Sequence, residues 1–302
     1  MTSRSIEKVV PATQGHITRL IGTVDMEGKG TNHPLAEVDP FILLDYGSIS
    51  KNDMPPFGAH PHRGHSVVTI ILQGKVKSWD SFSNQEETMS APGSYWVDAG
   101  SGLFHDEKSV IDDENDPNQH FKLFQLWVGV READRKKPPR VQKQEDLPRE
   151  DLMDADNKVV GKIVHHVGPQ TKIETPHPIH VAHVRQSKNS TYHHDLDPTH
   201  GGFIVHMSGK PSFGGTIPMN DMDVLVLKKG GRRLEITTNE QSDAEYLVCS
   251  GELNKEHWVK KLVASGAIIA ASEEEAKELA PKVEAMSAAG KQEGGSFAPF
   301  GV

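Results

Sequence analysis

Residues 60–79 read HPHRGHSVVTIILQGKVKSW, and the hairpin inside that stretch decides the fold class. Ser66-Val-Val-Thr-Ile-Ile-Leu72 and Lys75-Val-Lys-Ser-Trp79 are short β segments, and Gln73-Gly74 joins them as a tight connection. The same style continues outward. Phe41-Ile-Leu-Leu-Asp45 lies upstream; downstream, Ala91-Pro92-Gly93 turns the chain into Ser94-Tyr-Trp-Val97. Gly100-Ser101-Gly102 then leads into Leu103-Phe104-His105, and the mostly apolar run FKLFQLWVGV at 121–130 reads as a buried strand.

A composition shift follows. Residues 131–150 (READRKKPPRVQKQEDLPRE) are charged and proline-bearing with no sustained apolar face, the mark of a linker with local structure at most. Beyond it the β style returns at 158–167, 179–184, 202–207, 223–227, 233–238 and 245–249, punctuated by Gly201-Gly202, Gly214-Gly215 and Gly230-Gly231. Two blocks of short strands predict two barrels or sandwiches. The expected division is an N-terminal domain at 1–133, a linker at 134–150, a C-terminal domain at 151–271, and a helix with a tail at 272–302. Ser272-Glu-Glu-Glu275 has the capping-box pattern, in which a hydroxyl and a glutamate satisfy each other's backbone N–H groups. The helix is expected to start near 273, bend or stop at Pro281 and resume to about 288, with 290–302 as a flexible tail.

The totals exclude several classes. The chain has 302 residues, enough for two ordinary domains. Its single cysteine, Cys249, rules out an intramolecular disulfide and a Cys-rich zinc module, and its apolar surroundings mark an inert buried thiol. No run approaches the roughly 18 apolar residues that span a bilayer. Met1 to Ser5 leads into Glu7-Lys8 rather than an apolar signal core, so a cytoplasmic location is expected, or a nuclear one in a eukaryote. A net charge of −9 opposes direct nucleic-acid binding, and Arg135-Lys136-Lys137 reads as solvated linker. No serine sits in a nucleophile elbow, so serine hydrolysis has no support.

Spacing singles out four of the potential ligands. His60 and His62 stand at i and i+2, which puts both imidazoles on one side of an extended chain. His105 and Glu107 repeat that geometry some forty residues later. The hairpins between the pairs are enough chain to wrap a barrel and bring them face to face. Three neutral nitrogens and one carboxylate suit a divalent first-row ion: Fe(II), Mn(II), Zn(II), Ni(II) or Cu(II). His65 has the opposite parity to His62 and is expected to point away, into the core or to solvent. Trp96 and Phe104 are expected in the core rather than at a substrate mouth. The histidines of the second half (His177, His180, His183, His193, His194, His200 and His206) show no second pair of this kind and read as incidental.

At these residues the chain resembles the pirin family, a bicupin branch of the cupin superfamily. The resemblance rests on Asp39 to Asp45 (DPFILLD), Phe57 to Gly64 (FGAHPHRG), Pro92-Gly93, and Ala99 to Gly102 with His105 and Glu107. Leu126-Trp127-Val128, Pro138-Pro139-Arg140 and Gly251 to Asn254 extend it over roughly residues 15–280. It implies a mainly β fold of two cupin, jelly-roll-like β-barrel domains with a C-terminal α-helix. It also implies one metal, usually iron, in the N-terminal barrel, held by His60, His62, His105 and Glu107. After HPHRG the family usually continues Phe-Glu-Thr, where this chain has His65-Ser66-Val67. Ser66 occupies the spacing of the glutamate ligand in the general cupin pattern and has no carboxylate to offer. The fourth ligand would then be Glu107.

Some pirin-like proteins are quercetin 2,3-dioxygenases, so the resemblance implies an oxidoreductase that opens a flavonol-like ring with O2. Glu107, the only carboxylate of the expected set, would then be the catalytic proton acceptor. The alternative is a metal-dependent transcriptional co-regulator acting through protein–protein contacts, with Arg63 in the contact surface. Neither reading calls for a membrane.

Overall fold

The structure, a computed structural model, describes residues 2–12, 17–22, 35–50, 58–112, 120–292, 297 and 300. In the first barrel one six-stranded sheet runs in the order Arg140–Gln144, Gly93–Asp98, His65–Gln73, His120–Gly129, Phe41–Ser50, Ile17–Ile21. The other runs Val259–Val263, Gly266–Ala270, His60–Arg63, Leu103–Ser109, Lys75–Asp80, Glu86–Ser90. Alternation fills the space between them: Ile42, Val67, Val97 and Trp127 from one sheet meet Val76, Met89, Leu103 and Ile269 from the other. The second barrel pairs a seven-stranded sheet with the three strands Thr191–Asp195, Arg233–Thr238 and Pro211–Phe213, around Ala182, Ile204, Tyr246 and Val248.

The barrels share a wall. Phe41, Val68, Trp96 and Leu126 of the first pack against Val181, Phe203 and Cys249 of the second in one buried cluster. The Phe41 and Phe203 rings meet edge to face with centroids 5.1 Å apart. Outward-facing strand residues that would be polar in an isolated barrel are therefore apolar here.

The chain ends cross this wall. Ile6–Val10 pairs with Val224–Leu227 in the second barrel, and Gly266–Ala270 pairs in parallel with His60–Arg63 in the first, Ala267 beside His62. The stretch expected as a linker contains the strand Arg140–Gln144, which extends the first barrel's sheet beside Gly93–Asp98. The expectation of a solvated basic cluster is corrected at Arg135, which is buried, donates to the Val130 carbonyl and pairs with Glu256 at 3.2 Å, whereas Lys136 and Lys137 are exposed.

The C-terminal helix spans Glu273–Gln292 and continues through Pro281. The sequence expectation that the helix stops there is corrected. A proline inside a helix costs about 3 kcal/mol through its lost hydrogen bond. Burial of Leu279, Ala280 and Val283 against Val263 and Ile268 offsets that cost. The Ser272 hydroxyl accepts the Glu275 N–H at 3.2 Å, and Glu275 reaches back to the Ala271 N–H at 2.7 Å. The tail is also corrected at two residues: Phe297 and Phe300 are buried, each with its ring within 5 Å of that of Phe104. The rest of 293–302 lies outside the described residues.

Glu245 illustrates the stability of the second barrel. Its carboxylate accepts a 2.7 Å hydrogen bond from His183, which together with Arg185 holds it down to about 2. A depressed carboxyl stabilises the fold above its unfolded value of 4.5, and that contribution fades as pH falls toward 2. Glu245→Gln should therefore cost about 1 kcal/mol at pH 7, a modest figure because solvent screens the partly exposed pair. Urea midpoints measured from pH 7 downward should show a constant difference to about pH 5 that shrinks below it.

Candidate metal centre

Register brings the histidines together. His60 lies directly opposite His105 on the neighbouring antiparallel strand, and His62 opposite Leu103. Side chains at i and i+2 share a face, so all three imidazoles enter the same space. His60 Nε2 and His105 Nε2 are 3.0 Å apart, and the His62 ring centroid is 4.7 Å from that of His105. One donor atom from each of the three lies within 4.8 Å of the others, and among the described residues no other group of three or more metal-ligating side chains does so. His62 and His105 are buried, and His60 is partly exposed.

The hydrogen bonds fix which nitrogens are free. A carbonyl can only accept, so the 2.8 Å contact to the Gly58 carbonyl places a proton on His60 Nδ1 and a lone pair on Nε2. The contact of His65 Nδ1 with the Arg63 carbonyl, 3.0 Å, likewise leaves His65 Nε2 as an acceptor. That acceptor lies 3.0 Å from His62 Nδ1, which must donate, so the lone pair of His62 is on Nε2. His62 Nε2 and His105 Nδ1 are buried without a partner. Burial, reinforced by neighbouring imidazoles, pushes His60 down to about 4 and His62 well below its ordinary value; burial alone pushes His105 to about 4. The three side chains are neutral near pH 7, the form in which imidazole ligates a metal.

Glu107 stands apart from that trio. Its carboxyl meets Thr69 Oγ1 at 2.6 Å and receives Gln125 Nε2 at 3.2 Å, while Thr69 Oγ1 is 2.7 Å from Gln125 Oε1. Burial raises the affinity of Glu107 for a proton, and the hydrogen bonds it accepts from Thr69 and Gln125 partly oppose that. Ser66 points elsewhere: its hydroxyl donates to Asp98 at 2.7 Å, beside Trp96 Nε1 and Arg140.

His65 is a buried histidine outside the trio, as expected, but it does not point away from His62. Its ring lies 5.0 Å from that of His62 and is buried against Trp127. Gly64, at φ +77, breaks the strand between them, so parity counted from His62 does not carry across. Thr69 and Gln125 were missed as well; both sit at inward positions of predicted strands, a signal that was present but not distinctive. Trp96 and Phe104 are fully buried core residues, as expected. Cys249 is buried and its thiol is pushed well above the usual range. Arg63 is not on the surface: it is 4% exposed and pairs with Glu275 at 3.4 Å.

His65 acts as the holder of the His62 tautomer. A group in that position typically contributes 10–100-fold to metal affinity. His65→Phe keeps the ring volume and removes the acceptor, so chelator competition should show a loss of about 10–100-fold. Unchanged affinity would mean that packing alone orients His62.

Comparison with known proteins was made against this geometry. The family model described as Pirin matches residues 22–128. A Pseudomonas aeruginosa protein named as a candidate quercetin 2,3-dioxygenase is 32% identical over 227 residues, which is 71% of this chain and 76% of that protein. A quercetin 2,3-dioxygenase from Acinetobacter baumannii shares the fold with a TM-score of 0.76 at 21% identity, covering 96% of this chain and 98% of the other. The bacterial pirin YhhW of Escherichia coli, solved in complex with nickel(II), gives a TM-score of 0.58 at 15% identity over 80% of this chain and 94% of the other. Both structures support the two-barrel fold. Among the described residues no helix is long and apolar enough to cross a membrane.

Proposed function

The chain belongs to the pirin family, and from that premise we propose that it binds one divalent transition metal and oxidises a flavonol-like substrate with O2. His60, His62 and His105 would hold the ion, with Glu107 as the fourth donor. The observation that carries this reading is the convergence of three neutral imidazoles, two of which have their Nε2 lone pair fixed by hydrogen bonds at Nδ1. The buried His62 Nε2, which no protein group satisfies, fits the role of a metal ligand. Iron(II) is the first choice for loading; nickel(II) is the second, since one pirin structure contains it. Zn, Mn or Cu would suit the same donors.

Bound there, the ion supplies Lewis acidity to a substrate hydroxyl and a centre at which dioxygen is activated. The protein's own contribution is proton handling. Burial makes Glu107 hold a proton more tightly than an ordinary carboxylate, while Thr69 and Gln125, which donate to it, keep its charged form accessible. That suits Glu107 as the acceptor for a substrate hydroxyl proton. His65 and the Gly58 carbonyl keep the imidazoles from turning.

Iron-loaded protein mixed with quercetin under air should consume oxygen and bleach the flavonol absorbance. Retention of that activity by a His62→Ala protein shown to be metal-free would sink the enzyme reading. The co-regulator alternative loses its contact residue, since Arg63 is buried against Glu275. It would regain ground if no flavonol were turned over and metal loading changed affinity for a protein partner.

A further inference from the structure

The second barrel contains a cavity of about 820 Å³ that does not touch the histidine trio. It opens between the strands Arg149–Met153, Val159–Val167 and Thr191–Asp195 and the loop at 168–178. The volume falls within the range of sites for small organic molecules. Its polar lining includes His165, His180, His194, Tyr192 and Ser250.

Two nitrogens in that wall are unpaired, as is Nδ1 of His177, which also lines the cavity. His165 Nδ1 meets His180 Nε2 at 3.2 Å and Tyr192 Oη meets His194 Nδ1 at 3.3 Å, which leaves His165 Nε2 and His194 Nε2 buried with no hydrogen-bond partner. His165 is 3% exposed and His194 4%. The nearest recorded group to His165 Nε2 is the Glu150 carboxylate at 3.5 Å, too poorly placed for a hydrogen bond. Buried polar groups are nearly always satisfied, so two in one cavity indicate a bound molecule that satisfies them.

The wall also restricts the chemistry of that molecule. A metal is disfavoured, because these imidazoles do not bring three donor atoms within 4.8 Å of one another as His60, His62 and His105 do. An anion is disfavoured too: Glu150, Asp151, Asp195 and Asp197 line the cavity and no lysine or arginine does. Burial pushes His180 to about 3 and His194 to about 4, so these two rings bring no positive charge near pH 7. A hydroxyl both donates and accepts, and so pairs with an imidazole nitrogen whichever tautomer it holds. Leu152, Ile163, Ile179 and Leu196 provide apolar walls, and the His180 and His194 rings, 24° from parallel with centroids 6.0 Å apart, add aromatic groups against which an aromatic ring can pack.

We propose that the second barrel is a binding site for an uncharged hydroxylated aromatic molecule, gripped by the unpaired ring nitrogens of His165 and His194. The site is independent of the metal centre.

Resveratrol is the probe, since its separated hydroxyls cannot chelate a metal, and stilbene disulfonate is its anionic counterpart. Titration calorimetry on the full chain should show resveratrol binding with the same affinity before and after chelator treatment, and no binding of the disulfonate. Hydrogen exchange on the same wild-type protein should show protection at 168–178 and 191–197. His165→Phe and His194→Phe keep ring volume while removing the nitrogens, and each should weaken binding about five-fold. No resveratrol binding, equal affinity for the disulfonate, or protection confined to the strands His60–Arg63 and Leu103–Ser109 would overturn the proposal. The exchange measurement decides the matter even if neither variant folds.

Discussion

A His62→Ala protein should purify with almost no transition metal and should resist reconstitution, its affinity reduced by about 100-fold or more. Removing an orienting partner already costs 10–100-fold, and His62 would supply the ligand atom itself. The fold should survive. His62 is buried beside Trp127 and His65, so the change opens a cavity, yet it also removes a buried imidazole nitrogen that no protein group satisfies. Elemental analysis of freshly purified wild type and variant, with circular dichroism to check folding, gives the comparison. Equal metal content in the two would show that the ion sits elsewhere, and the reading of the first barrel would fall with it.

Gly64→Ala should be strongly destabilising, at about 2–4 kcal/mol. Two costs combine. Gly64 has φ +77, a conformation that penalises any Cβ by about 1–2 kcal/mol. An added Cβ would also lie 2.3 Å from the Ile269 carbonyl oxygen on the C-terminal strand that flanks His60–Arg63. Gly230→Ala separates the two, because Gly230 has φ +83 with nothing within 4 Å of its would-be Cβ. It should cost only the conformational part. If both variants unfold at the same urea concentration, the contact with Ile269 is unimportant. Metal affinity should fall in Gly64→Ala, since the turn sets His62 against His65, and should be unaffected in Gly230→Ala.

Much of the site was legible because strand geometry is simple. A period of two puts His60 with His62 and His105 with Glu107, and the sequence needs nothing further to propose that the pairs converge. The fate of Glu107 was less visible. Its position two residues from His105 points it inward, but its partners, Thr69 and Gln125, come from the opposite sheet. No local pattern announces a partner across a barrel. His65 failed for the opposite reason: parity was applied through a glycine that ends one strand and begins the next.

The sequence by itself determined the β class, the two blocks of strands, the start of the C-terminal helix and the inward histidine pair, because each follows from periodicity, turn chemistry or capping within a few residues. Only the tertiary structure decided the rest. It took the first strand into the second barrel and the Gly266–Ala270 strand into the first, carried the helix through Pro281, seated Phe297 and Phe300 on Phe104, and turned His65 onto His62. Those outcomes depend on which surfaces meet. Burial between residues far apart in sequence outweighs local preference, and the chain alone does not show which distant partner will supply it.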